Sequence, residues 1–203
     1  MTRPCPCPCP VCHFSYQCLC SLQPTLDSQL RIALLMHENE PHRATNTGKL
    51  LLRSLPNSSV YIWDRVSTAK SLQKRILDEK LNAVVIFPST RSQSLTEYQS
   101  LSTSDTQEIV FIILDGTWQE AKKMLNKSPW LSDLPQLHLT PNQISQYGLR
   151  RNQDAGHLCT LEVGVELLNS LGEANNAREL RAFFTYYLKA FQADKSGHAL
   201  KLQ

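Results

Sequence analysis

Ile109-Val110-Phe111-Ile112-Ile113-Leu114 runs directly into Asp115-Gly116-Thr117-Trp118-Gln119-Glu120. Six consecutive apolar residues rich in β-branched types read as a strand buried on both faces, the pattern of a parallel sheet. Asp115 stands where the strand runs out. Gly116 frees the backbone, Thr117 can cap a helix, and Glu120 can reach back to complete a capping box, so a helix is predicted over 118–127. A carboxylate thus lies at the carboxyl edge of a strand, where open α/β sheets bind ligands. An aspartate followed by glycine can also do no more than form a turn. The rest of the chain decides between the two.

Upstream, residues 31–36 form a first apolar strand. A loop dense in hydrogen-bonding side chains follows from His37 to Gly48, including Glu40, Arg43, Asn46 and Thr47. It leads into an apolar helical stretch at Leu50, Leu51 and Leu52, with Asn46 or Thr47 as N-cap. Such a helix start can offer N–H groups to an anion or simply be capped. A strand is predicted over 60–63, a helix over 68–81 and a third strand over 82–87, which exits into Pro88, Ser89, Thr90 and Arg91. A helix over 92–101 completes the upstream half.

Downstream of 118–127, Ser128, Pro129 and Trp130 are expected to end regular structure, and residues 136–140 form a fifth strand. A turn-rich loop carries Tyr147, Arg150 and Arg151. Thr160 is placed to cap a helix reaching Leu171. Ala177, Leu180, Phe183, Phe184, Tyr187, Leu188 and Phe191 then recur at a helical period, marking a long amphipathic helix against the core. Strands and helices alternate throughout, which predicts an α/β fold with a mostly parallel sheet and flanking helices.

At 203 residues the chain suffices for one substantial core. We read residues 25–203 as that domain and residues 1–24 as a small cysteine-rich module. No apolar run has the length of a signal peptide core or a membrane span, so a cytoplasmic location is expected, with no membrane partner. Six of the 7 cysteines fall within the first twenty residues, which in a reducing compartment points to metal rather than disulfides. Cys9, Cys12, Cys18 and Cys20 form the preferred quartet for one zinc ion. Cys5, Cys7 and His13 lie outside it. An earlier cysteine replacing Cys9, an iron–sulfur cluster, or a leader without metal are the alternatives. A net charge of +3 is too small to identify a nucleic-acid partner.

Asp115-Gly116-Thr117-Trp118 resembles the Asp-x-Thr-Trp signature of the DTW-domain family, the tRNA-uridine aminocarboxypropyltransferases. The cysteine knuckle, His37 through Asn46-Thr47-Gly48, Phe87-Pro88-Ser89, Leu149-Arg150 and Thr160-Leu161-Glu162 are similar, in order, to its other motifs, so the likeness covers roughly residues 9–190. Cys5, Cys7, Cys159 and Val163 depart from the pattern. The resemblance implies a SPOUT-like domain whose C-terminal part is knotted around S-adenosylmethionine, beside a small zinc knuckle. It also implies transfer of the 3-amino-3-carboxypropyl group to N3 of a tRNA uridine with release of methylthioadenosine. Bacterial members modify the variable loop, the expected position here, and eukaryotic ones the D loop. A monomer is expected.

N3 of uracil attacks carbon only after losing its imide proton, and Asp115 is the expected base. The methionine carboxylate would meet N–H groups near Thr47 or Thr117, or Arg150. Resemblance to knotted sites assigns the rest of the S-adenosylmethionine contacts to Ser89, Leu114, Gly116, Trp118, Thr160 and Glu162. Arg43, Arg91, Lys122, Lys123, Lys127 and Arg151 are candidate phosphate contacts, each also explicable as a surface charge. Two other classes remain: a SPOUT-type methyltransferase on the same fold, and a zinc-dependent RNA-binding protein without catalysis.

Overall fold

A computed structural model of the chain describes residues 8–67, 69–101, 109–140, 145–148 and 158–201. Among these, six strands form one sheet: β1 (Arg31–His37), β2 (Ser58–Trp63), β3 (Asn82–Ile86), β4 (Gln93–Ser94), β5 (Ile109–Asp115) and β6 (Gln136–His138). Every pairing is parallel, and the order is β2-β1-β5-β3-β6-β4. The mostly parallel α/β sheet is therefore as expected. The apolar run 109–114 occupies the middle, between β1 and β3, which is why it is buried on both faces from Val110 onward.

Side-chain alternation divides the core in two. Ile32, Leu34 and Met36 of β1, with Phe111 and Ile113 of β5, face α1 (Gly48–Ser54), α6 (Thr160–Ser170) and α7 (Ala174–Lys195). Ala33, Leu35, Val110, Ile112 and Leu114 face α2 (Lys70–Asp78), α4 (Trp118–Lys127) and α5 (Pro129–Ser132). α3 (Leu95–Leu101) joins the first side through Leu95 and Tyr98. The chain leaves β1 toward β2 on one flank and leaves β5 toward β6 on the other, with α1 and α4 on opposite faces. The carboxyl ends of β1 and β5 are thus a topological switch point, the place where such sheets open a crevice.

Several boundaries differ from expectation. The second helix begins at Lys70, behind Ala69 in the left-handed region at φ 60°, and ends at Asp78. Pro129 opens a four-residue helix instead of ending structure, since its missing N–H costs nothing at a first helical turn. Gln93 and Ser94 pair with β6 before the third helix starts at Leu95. Cys159, not Thr160, takes the N-cap position of α6. The knot expected in the C-terminal part turns on the path between β6 and α6, where 141–144 and 149–157 lie outside the described residues.

The knuckle is sewn to the main core. Phe14 and Leu19 are buried in it, and Phe14 meets Tyr187 and Phe191 of α7 edge-on at 5.6 and 6.1 Å. Asp194 Oδ1 accepts the backbone N–H groups of Ser15 and Tyr16, each at 2.8 Å.

α6 and α7 are joined by an ion pair in which Arg181 reaches the buried Glu166 at 2.6 Å. Removing the cation from a buried carboxylate is costly. Arg181→Leu is expected to lower unfolding free energy by about 3 kcal/mol, and adding Glu166→Gln should recover part of that loss. Urea denaturation midpoints of the two variants check both statements.

Candidate functional site

Asp115 continues the parity of Phe111 and Ile113, so its carboxylate turns toward α1 and α6 rather than toward α4, whose cap follows it in sequence. It is 2% exposed. Its Oδ2 accepts from Asn46 Nδ2 at 2.7 Å and its Oδ1 from Thr160 Oγ1 at 2.5 Å. Gly48, first residue of α1, lies so close that a Cβ there would stand 2.6 Å from Oδ2. The starts of two helices, α1 and α6, therefore converge on this carboxylate, and their partial positive charge complements it.

Asn46 is the hinge of the arrangement. Its amide nitrogen also donates to Glu40 Oε2 at 2.7 Å, and its carbonyl accepts from the N–H of Lys49 at 3.0 Å. Asn46 thereby caps α1 by side chain, whereas Thr47, in the N-cap position, makes no cap bond and instead accepts the N–H of Leu161 at 3.4 Å. Glu40 is fully buried and pairs with Arg43. Arg43 then grips Glu120 with both terminal nitrogens, at 2.7 and 2.8 Å. The Thr117–Glu120 capping box forms as expected, so one carboxylate serves both a helix start and a cross-loop fork. Hydrogen bonding to Glu120 raises the Arg43 pKa above its ordinary value. Burial pushes Glu120 up, yet bonds from Arg43 and Thr117 outweigh it and hold the carboxyl well below the usual range.

Neither Glu40 nor His37 is among the site residues expected from the sequence. The signal for Glu40 is its three-residue spacing from Arg43, since a 3-10 turn over Glu40–His42 brings residues three apart together. His37 stacks on Trp63 at 5.4 Å and accepts the N–H of Asn39 at Nδ1. Its Nε2 is buried with no partner among the described residues.

The other expected site residues are spread along the same edge. Ser89 donates to Gln136 at 2.6 Å beyond β3. Trp118 is half-buried and tilts against Phe87 at 5.6 Å, while Leu114 belongs to the opposite core. Glu162 is buried and accepts from Ser145 Oγ, the N–H of Gln146 and the N–H of Cys159 at 2.7 to 2.9 Å, clamping the loop before α6. Arg91 is exposed near Ser89. Lys122, Lys123 and Lys127 are exposed on α4, on the sheet face away from Asp115. Leu149, Arg150 and Arg151 lie outside the described residues.

Cys9, Cys12, Cys18 and Cys20 bring their sulfurs within 4.8 Å of one another. Three of the separations are 3.7, 3.7 and 3.9 Å. A tetrahedral site with Zn–S bonds of about 2.3 Å has edges of about 3.8 Å, so the quartet is compatible with zinc. N–H groups of Cys12 and Val11 lower the Cys9 thiol to about 6, whereas burial and the neighbouring thiols push Cys20 up to about 12. One thiolate is favoured and further negative charge calls for a cation. Cys5 and Cys7 lie outside the described residues.

Glu120→Gln keeps the shape of the fork and removes its charge. We expect it to lower stability at pH 7 by about 1.5–3 kcal/mol, the range for hydrogen bonds to charged groups. Because the folded-state pKa is depressed, this advantage of the wild type is complete above the ordinary value of 4.5 and shrinks as pH falls toward the folded value. Denaturant titrations of both proteins at pH 7 and pH 3 check it; a gap that does not narrow at pH 3 would separate the fork from its charge.

Comparison with known proteins places this geometry in a family. Three relatives bear the name tRNA-uridine aminocarboxypropyltransferase 2. The one from Macaca fascicularis is 26% identical over 166 residues, covering 80% of this chain and 55% of its own length. That from Mus musculus is 26% identical over 182 residues, covering 85% and 60%. That from Drosophila melanogaster is 29% identical over 168 residues, covering 81% and 65%. This chain thus spans somewhat over half the length of these relatives. No solved structure matches it. The DTW domain model matches residues 7–192, a span that holds the cysteine quartet, the Asn46 hinge and Asp115 together, and the chain belongs to the DTW-domain family.

Proposed function

We propose that the protein transfers the 3-amino-3-carboxypropyl group of S-adenosylmethionine to N3 of a tRNA uridine, releasing methylthioadenosine. One observation carries the chemistry: Asp115 is fixed by Asn46 and Thr160 at the switch-point crevice between β1 and β5. The names of the relatives support the same reaction class. Asp115 accepts the imide proton, the N3 lone pair attacks the methionine carbon next to sulfur, and the C–S bond pair leaves with the sulfur. Transfer of this group rather than the methyl is a matter of which carbon lies in line with N3. The finer expectations belong to this proposal: a knotted SPOUT-like fold, a variable-loop target, a structural zinc ion, and a cytoplasmic monomer.

The burial of Asp115 favours a second role for it. With both oxygens already accepting hydrogen bonds, it can serve as the anchor that shapes the S-adenosylmethionine pocket, leaving the proton to another group.

Mass spectrometry of nucleosides from tRNA incubated with protein and S-adenosylmethionine tests the reaction. Aminocarboxypropyluridine with methylthioadenosine is expected; methyluridine with S-adenosylhomocysteine would make the protein a methyltransferase, and tRNA binding without product would leave an RNA-binding protein. Asp115→Asn can keep both hydrogen bonds, accepting from Asn46 through oxygen and donating to Thr160 through nitrogen. Single-turnover transfer should fall by about 10²–10⁴, the usual contribution of a general base, with partial rescue at high pH. Lost S-adenosylmethionine binding in that variant would assign the anchoring role instead.

Zinc removal is a separate matter. Cys18→Ser should abolish stoichiometric zinc by elemental analysis and loosen the seam between the knuckle and α7, read as faster amide exchange at Ser15 and Tyr16. Acidification should release the ion as well, because protons compete for the thiolates.

A further inference from the structure

A cleft opens between the cysteine knuckle, α1 and α7, with Asn46 in its lining. Leu19, Leu50, Phe183 and Tyr187 line its apolar part. Arg43, Lys49, Arg53 and His13 supply its polar part, and Val11 and Cys12 bring in the knuckle. Asn46 lines the cleft while holding the Asp115 carboxylate at 2.7 Å, so the two sites share a wall.

The charges along the cleft are of two kinds. Arg43 is committed to Glu40 and Glu120. Lys49 and Arg53, by contrast, donate to backbone carbonyls, of Pro41 at 2.6 Å and Val11 at 2.9 Å, and neither pairs with a carboxylate among the described residues. They stand four apart on α1 and so share one face. Two uncompensated positive charges beside an apolar, aromatic floor suit a nucleotide chain, with phosphates on the cations and ribose or base against the floor. S-adenosylmethionine is a poor match for the same place, because its sulfonium is itself a cation.

We propose that this cleft seats the RNA strand next to the target base, with Lys49 and Arg53 as its phosphate contacts; this rests on the tRNA-modifying reaction proposed above. The knuckle then shapes the RNA site directly, since one wall of the cleft is built from its residues. A strand lying there runs along the wall that Asn46 shares with the Asp115 site.

The test is fluorescence anisotropy with unmodified tRNA across a salt series, together with calorimetry of S-adenosylmethionine. The doubly substituted Lys49→Gln, Arg53→Gln protein should bind tRNA at least about tenfold more weakly, with the slope of log K against log salt reduced by about two, one per phosphate contact. The charge-keeping Lys49→Arg, Arg53→Lys protein should keep the wild-type slope. An unchanged slope in the glutamine protein overturns the proposal, as does loss of S-adenosylmethionine affinity with tRNA binding intact, which would make the cleft the cofactor's. If that protein does not fold, Lys49→Gln and Lys49→Arg decide: equal slopes overturn it and a difference of about one supports it. Failure here is distinct from failure of the reaction. A lowered slope with no modified uridine from the wild type keeps the cleft and rejects the chemistry, while modified uridine with an unchanged slope does the reverse.

Discussion

Two carboxylates, Glu40 and Asp115, are buried at the carboxyl edge of the sheet with a single side-chain amide between them. Burying like charges in proximity is strongly unfavourable unless each finds donors. Asn46 is suited to the place because its one nitrogen carries two N–H groups, one for each carboxylate, and its oxygen remains to cap α1. Aspartate there would add a third acceptor, and leucine would leave both anions short of a donor. Loop, helix start and central strand are locked together by that one amide.

From this centre the polar network extends outward to solvent. Glu40 hands over to the Arg43 fork, and the fork to Glu120, which is at once the capping residue of α4. The side chains that tie Asp115 down come from the segment after β1 and from the first residue of α6, on the face opposite α4. Such networks are stable when every member is satisfied, and among these residues the buried His37 Nε2 is left without a partner among the described ones.

The knuckle, the cleft and the crevice follow one another along the same face of the sheet. Phe14 docks on α7, the knuckle's backbone meets Arg53 of α1, and α1 carries Asn46's cap. A metal held by the cysteine quartet would thereby be coupled to the wall of the proposed RNA cleft through ordinary packing.

Local chemistry was legible in the sequence wherever neighbours along the chain do the work. The apolar run before Asp115, the Thr117–Glu120 capping box, the alternation of strands with helices and the Cys9, Cys12, Cys18, Cys20 spacing all depend on residues a few positions apart. The third helix starts late, at Leu95, because Gln93 and Ser94 are taken by pairing with β6, whereas Pro129 opens a short helix because a first turn needs no N–H from it. What only the tertiary structure decided is the company Asp115 keeps. Asn46 is 69 residues away and Thr160 is 45, and which of them meets the carboxylate depends on sheet order and on the face to which an odd-numbered residue of β5 points. Strand order is fixed by long-range burial, which no local pattern encodes, so the sequence alone determined that a carboxylate ends the central strand and the fold determined what surrounds it.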